Sequence, residues 1–139
     1  MRKGITLFNL SFVLLLVACN SSDGPAEKLY FVQLDEFGNS QELSISNDQY
    51  ISDVESILEQ ADWEGVDKVH KTTLYSFYFK RNGSYGPSHI VWRDPEDHKI
   101  KLYSEKKRAF TVLNAEENKT LQKLKRIGED NYLAEQLDE

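Results

Sequence analysis

Thr72-Thr73-Leu74-Tyr75-Ser76-Phe77-Tyr78-Phe79-Lys80 is the stretch on which the fold turns. Its β-branched and aromatic residues suit a pleated, half-buried strand. Side chains alternate along a strand, so Tyr75, Phe77 and Phe79 share one face while Leu74 and Tyr78 share the other. Immediately downstream, Arg81-Asn82-Gly83-Ser84-Tyr85-Gly86-Pro87 is a dense turn cluster. His89-Ile90-Val91-Trp92-Arg93 reads as a short strand, and Asp94-Pro95-Glu96-Asp97 turns the chain again. Lys99-Ile100-Lys101-Leu102-Tyr103 alternates with period two, and Ala109-Phe110-Thr111-Val112-Leu113 closes a four-stranded meander.

Upstream, Leu29-Tyr30-Phe31-Val32-Gln33-Leu34 and Glu42-Leu43-Ser44-Ile45 flank a Gly-Asn turn and read as a first hairpin. Tyr50, Ile51, Val54, Ile57, Leu58 and Ala61 then recur with a 3.6-residue period, which predicts a helix over 48–62. Ser46 or Asn47 can cap it, and Ser46 with Gln49 matches a capping box. At the other end, Asn114 with Glu117 forms a second capping-box pattern. Ala115, Leu121, Leu124 and Ile127 share a helical face there, with Gly128 at the position of a C-terminal glycine. Residues 129–139 hold five acids and no base and are expected to fray. The order ββ-α-ββββ-α predicts an α+β domain: an antiparallel sheet of five to six strands with two helices packed on one face.

The chain of 139 residues suits a single domain, and its 12% aromatic content can fill a core. The formal net charge is −6. Nucleic-acid binders usually carry a basic patch, so this balance argues against a nucleic-acid partner. It also supplies no attraction to anionic lipid.

Residues 1–19 bear on location. Arg2 and Lys3 form a positive start, and the apolar run that follows is densest from Phe12 to Ala18. The run is shorter than the roughly 20 residues of a spanning helix and has the layout of a secretory signal peptide. It ends in Leu16-Val17-Ala18-Cys19, which resembles the lipobox of bacterial lipoproteins. The resemblance implies that the Cys19 thiol receives a diacylglyceryl group and that cleavage falls between Ala18 and Cys19, with N-acylation of the new terminus a further step. Removing Arg2 and Lys3 from the 17 basic residues leaves 15 against 23 acidic ones, a net charge of −8. Two acyl chains would then hold the protein at the extracytoplasmic face of the cell membrane, where one chain alone binds marginally. Cys19 is the one cysteine of the chain, so its fold rests on packing without a disulfide. Asn20-Ser21-Ser22-Asp23-Gly24-Pro25 reads as a flexible linker. The expected organisation is a signal peptide over 1–18, a tether over 19–28, a globular domain over 29–128 and an acidic tail over 129–139.

A second resemblance spans about 80 residues. Asp53-Val54-Glu55-Ser56-Ile57-Leu58, Trp63, the strand from Tyr75 to Phe79, Ile90-Val91-Trp92 and Phe110-Thr111-Val112-Leu113 together resemble a group of small Bacillus-type lipoproteins. The likeness implies the same order of elements and a Gram-positive source, and it carries no site residue.

No motif here announces catalysis. His70, His89 and His98 form no HxxxH or HExxH pair, and the loop from Asp94 to His98 lacks the alternating oxygens and glycine of an EF-hand. Ser84, set between Gly83 and Gly86, reads as part of a hairpin turn. GxSxG, GxGxxG and Walker patterns are absent. No cofactor or metal is expected. The aromatic residues carry more weight. With helices on one face only, Tyr78, Tyr85 and Trp92 are candidates for an exposed binding surface. The basic run Lys99, Lys101, Lys106, Lys107 and Arg108 reads as a solvated strand edge.

These features point to a non-enzymatic binding or interaction module, with an envelope protein or polymer as its partner. The alternatives are a small envelope hydrolase with a site assembled from scattered residues, and a tethered inhibitor or protective module.

Overall fold

A computed structural model describes residues 24–65 and 73–138. Among the described residues, ten elements follow one another: β1 Lys28–Leu34, β2 Ser40–Ile45, α1 Asp48–Gln60, β3 Glu64–Gly65, β4 Thr73–Arg81, β5 Ser84–Tyr85, β6 His89–Arg93, β7 Ile100–Ser104, β8 Ala109–Val112 and α2 Ala115–Leu137. Every strand pairing is antiparallel. The strands form one sheet in the order β2-β1-β4-β6-β7-β8-β3, with β5 paired to β4. The chain is thus α+β, with eight strands among the described residues where five to six were expected. The difference is β3 and β5, two residues each. Two residues are too few to show an alternating pattern.

Register sets inward side chains of neighbouring strands in cross-strand rows. Phe31 stands opposite Leu43 on β2 and Phe77 on β4, while Val91 stands opposite Tyr75 and Leu102. This inner face also carries Leu29, Ile45 and Phe79, all buried. Phe31 meets Phe77 at 5.8 Å between ring centroids, and Phe77 meets Phe79 edge-on at 6.2 Å. Such pairs add roughly 0.5–1.5 kcal/mol each beyond the area they bury.

Both helices lie on the inner face. Ile51, Val54 and Ile57 of α1 and Leu121 and Leu124 of α2 join the sheet residues in one core. Asn47 starts α1 by accepting from the Gln49 and Tyr50 amides, so it, rather than Ser46, is the cap. α2 opens with the complete capping box of Asn114 and Glu117.

α2 does not stop at Gly128. It continues to Leu137, through most of the segment expected to fray. Gly128 is buried, and a Cβ there would lie 3.0 Å from the Leu43 Cβ. The glycine is therefore a contact point that brings helix and sheet together, and Tyr132 beyond it packs on the core. The C-terminal half of the proposed tether is also ordered: Glu27 N donates to Lys80 O at 2.8 Å, and Arg81 donates to the Gly24 carbonyl at 3.1 Å. Among the described residues, no helix is long and apolar enough to cross a membrane.

Candidate functional site

The hairpin between β4 and β5 is a two-residue turn. Asn82 and Gly83 occupy it with φ of 50° and 75°. Positive φ at both central residues is the type I′ pattern, whose twist matches that of the flanking strands. Gly86 N then donates to Phe79 O at 2.8 Å, folding the segment after β5 back against β4. The turn between β7 and β8 closes nearby: Arg108 N donates to Ser104 O at 2.8 Å, and Lys107 N donates to Ser104 Oγ at 3.2 Å. These two turns and the C-terminal end of α1 surround a cleft of about 420 Å³, within the usual size of small-ligand sites.

Phe79, Leu58 and Trp63 provide its apolar surface. Trp63 is fixed by its indole N–H, which donates to Leu58 O at 3.2 Å. Arg81, Lys106 and Lys107 supply three cations. Two of them sit over aromatic rings: the Arg81 guanidinium is 5.2 Å from the Phe79 centroid, and the Lys107 ammonium is 5.4 Å from that of Trp63. Cation–π contacts of this kind hold charge beside an apolar surface. Glu55 lies 3.8 Å from Arg81, with both side chains about one-third exposed, so their attraction is largely screened.

His89 forms part of the wall and is buried. Its ring stacks on Phe77 at 4.9 Å and 12°, and its Nδ1 has no hydrogen-bond partner. Burial, reinforced by the Arg81 charge, outweighs the Phe77 carbonyl and lowers the imidazole pKa to about 4. The ring is therefore uncharged at neutral pH and a weak base. A neutral imidazole presents one N–H and one lone pair.

The aromatic residues singled out in the sequence separate. Tyr78 and Tyr85 come together on the outer face: Tyr78 stacks on Tyr30 at 5.1 Å and meets Tyr85 edge-on at 5.5 Å. Tyr85 is exposed and also borders the cleft. Desolvation, with a hydrogen bond to Glu42, holds the Tyr78 phenol above its ordinary pKa. Trp92, by contrast, is only 2% exposed, so the exposed position expected for it is not met. It sits mid-sheet between Thr73 and Lys101, with the Phe110 ring at 6.4 Å.

The basic run divides likewise. β7 lies between β6 and β8, so Lys101 is not on an edge. Its ammonium contacts Asp94 and reaches Asp97 at 3.1 Å, and these carboxylates raise its pKa, Asp94 most. Asp94 is buried and accepts from the Glu96 amide at 2.8 Å. The Asp94–His98 turn is thus pinned to the sheet by an ion pair. Among the described residues, no group of three or more His, Cys, Asp or Glu side chains could hold a metal ion. Leu16, Val17, Ala18 and Cys19 lie outside the described residues.

Sequence reasoning did not find the cleft. Its lining spans residues 58 to 107, and a signal available in the sequence was the pair Lys106-Lys107 in an acidic chain. No protein-family model, curated protein or solved structure matches the chain.

Proposed function

We propose that this chain is a lipid-anchored binding module, held through Cys19 at the extracytoplasmic face of the cell membrane, and that its cleft is where ligand binds. The leader ending in Leu16-Val17-Ala18-Cys19 supports the anchor. The observation that carries the binding reading is the cleft itself: about 420 Å³, apolar on Phe79 and Trp63 and cationic at Arg81, Lys106 and Lys107. Concave, mostly apolar pockets with a few convergent polar groups are the usual form of a ligand site. An outward-facing module on a tether meets ligands that never enter the cell, and the envelope protein or polymer expected as partner belongs to that space.

The test is membrane fractionation of wild type and Cys19→Ser, each followed by crosslinking in cells. Wild type sediments with membranes and Cys19→Ser does not, and crosslinks placed at Ser84 at the cleft mouth capture a component that crosslinks placed on the far end of α2 do not. Equal fractionation of the two forms removes the anchor from the proposal. Equal capture from both positions removes the cleft.

A further inference from the structure

We infer, building on that reading, that the cleft takes an amphipathic anion, with a carboxylate or phosphate head at Arg81, Lys106 and Lys107 and a short hydrocarbon body against Leu58, Trp63 and Phe79. The charge pattern is the first reason. The whole chain carries −6, yet three cations converge on one mouth. Lys106 and Lys107 form no salt bridge among the described residues. Arg81 has one carboxylate, Glu55, at 3.8 Å and in partial contact with solvent. An incoming anion therefore meets charge that the fold has left largely uncompensated, and charge-assisted hydrogen bonds are about twice as strong as neutral ones.

The second reason is the arrangement of apolar surface. Phe79 and Trp63 each lie beneath a cation, so head and body sites are adjoining. An inorganic anion would leave that surface wet, whereas an attached hydrocarbon removes it from water. Such a molecule arises either as a free metabolite or as the head region of an anionic phospholipid. The recognition chemistry is the same for both.

The chain contains two tryptophans, Trp63 on the cleft and Trp92 away from it, which allows a direct readout. The acylated protein, labelled with 5-fluorotryptophan and held in phosphatidylcholine nanodiscs, gives two fluorine resonances. Hexyl phosphate should shift the Trp63 resonance saturably and leave Trp92 in place. Inorganic phosphate and neutral hexyl glucoside should each bind at least about tenfold more weakly, since each lacks one half of the recognition. Lys106→Gln/Lys107→Gln should weaken hexyl phosphate by about tenfold or more, whereas Lys119→Gln on α2 should leave it unchanged. Replacing part of the phosphatidylcholine by phosphatidylglycerol identifies the source: a Trp63 shift without added ligand points to lipid, and a shift with hexyl phosphate alone points to a free molecule. The inference is overturned if hexyl glucoside binds as well as hexyl phosphate, if inorganic phosphate binds equally, or if the lysine variant binds like wild type. Tight binding of hexyl glucoside at Trp63 would leave the binding-module reading standing while removing the anion. Failure of Cys19→Ser to leave the membrane removes the anchor and does not touch the ligand class.

Discussion

Replacing His89 by Phe should make the protein less sensitive to mild acid. His89 is buried, and desolvation lowers its pKa from 6.5 to about 4, helped by Arg81 and opposed by the Phe77 carbonyl. In the unfolded chain the imidazole takes up a proton near pH 6.5; in the folded protein it resists until about pH 4. Between these values the unfolded state binds more protons. The stability that His89 contributes is therefore complete above pH 6.5 and is lost as pH falls toward 4. One pKa unit corresponds to about 1.4 kcal/mol, so the part lost by about pH 5 is about 2 kcal/mol. Phe at this position keeps the stack on Phe77 and removes the unpartnered Nδ1. Removing a buried polar atom in favour of an apolar group of similar shape is close to neutral or stabilising. Urea unfolding of wild type and His89→Phe at about pH 7.5 and about pH 5 measures the effect. The carboxylates titrate in both proteins, so the difference between them isolates His89. Wild type should lose about 2 kcal/mol more than the variant. Equal losses would refute the burial argument and show that the imidazole is solvated in the folded state.

Four further outcomes follow from the packing. Lys101→Met leaves the buried Asp94 carboxylate without its closest cation and should cost about 2–4 kcal/mol in urea unfolding; the double change with Asp94→Leu should recover much of it. Gly83→Ala should cost about 1 kcal/mol in thermal unfolding through its φ of 75° alone, because no atom lies within 4 Å of the added Cβ. Asn114→Ala removes the side-chain half of the α2 capping box, the acceptor for the Glu117 amide, and should cost about 1 kcal/mol, read by calorimetry. Gly128→Val puts a branched side chain where a Cβ already lies 3.0 Å from Leu43, and it should destabilise by about 1–3 kcal/mol as α2 is forced away from β2.

What was legible in the sequence was periodic. Ile51, Val54 and Ile57 announce α1 through spacing alone, and Tyr75, Phe77 and Phe79 announce the buried face of β4, because each pattern repeats over several residues. The α+β class followed from the order of such patterns. What escaped was set by contacts distant in sequence. Gly128 has the composition of a helix end, yet its small size serves the approach of α2 to Leu43, about 85 residues away. Trp92 has the right parity for the open face, but its place mid-sheet beside Phe110 buries it. Lys101 resembles an edge lysine until β8 is seen to pair outside it. The cleft is the extreme case. Leu58 comes from the end of α1 and Trp63 from the segment after it, Phe79 and Arg81 from β4, and Lys106 and Lys107 from a later turn. No local pattern links them, and only the β4-β6-β7 register together with the docking of α1 brings them to one place.

The central claim is that this domain and its cleft are presented at a membrane surface through an acyl anchor on Cys19. Intact-mass and N-terminal peptide mass spectrometry of the protein purified from its own membranes tests that most directly. The account predicts a chain that begins at Cys19 and carries a diacylglyceryl group on the thiol. A chain that retains Met1, or one cut elsewhere with an unmodified Cys19, would contradict it.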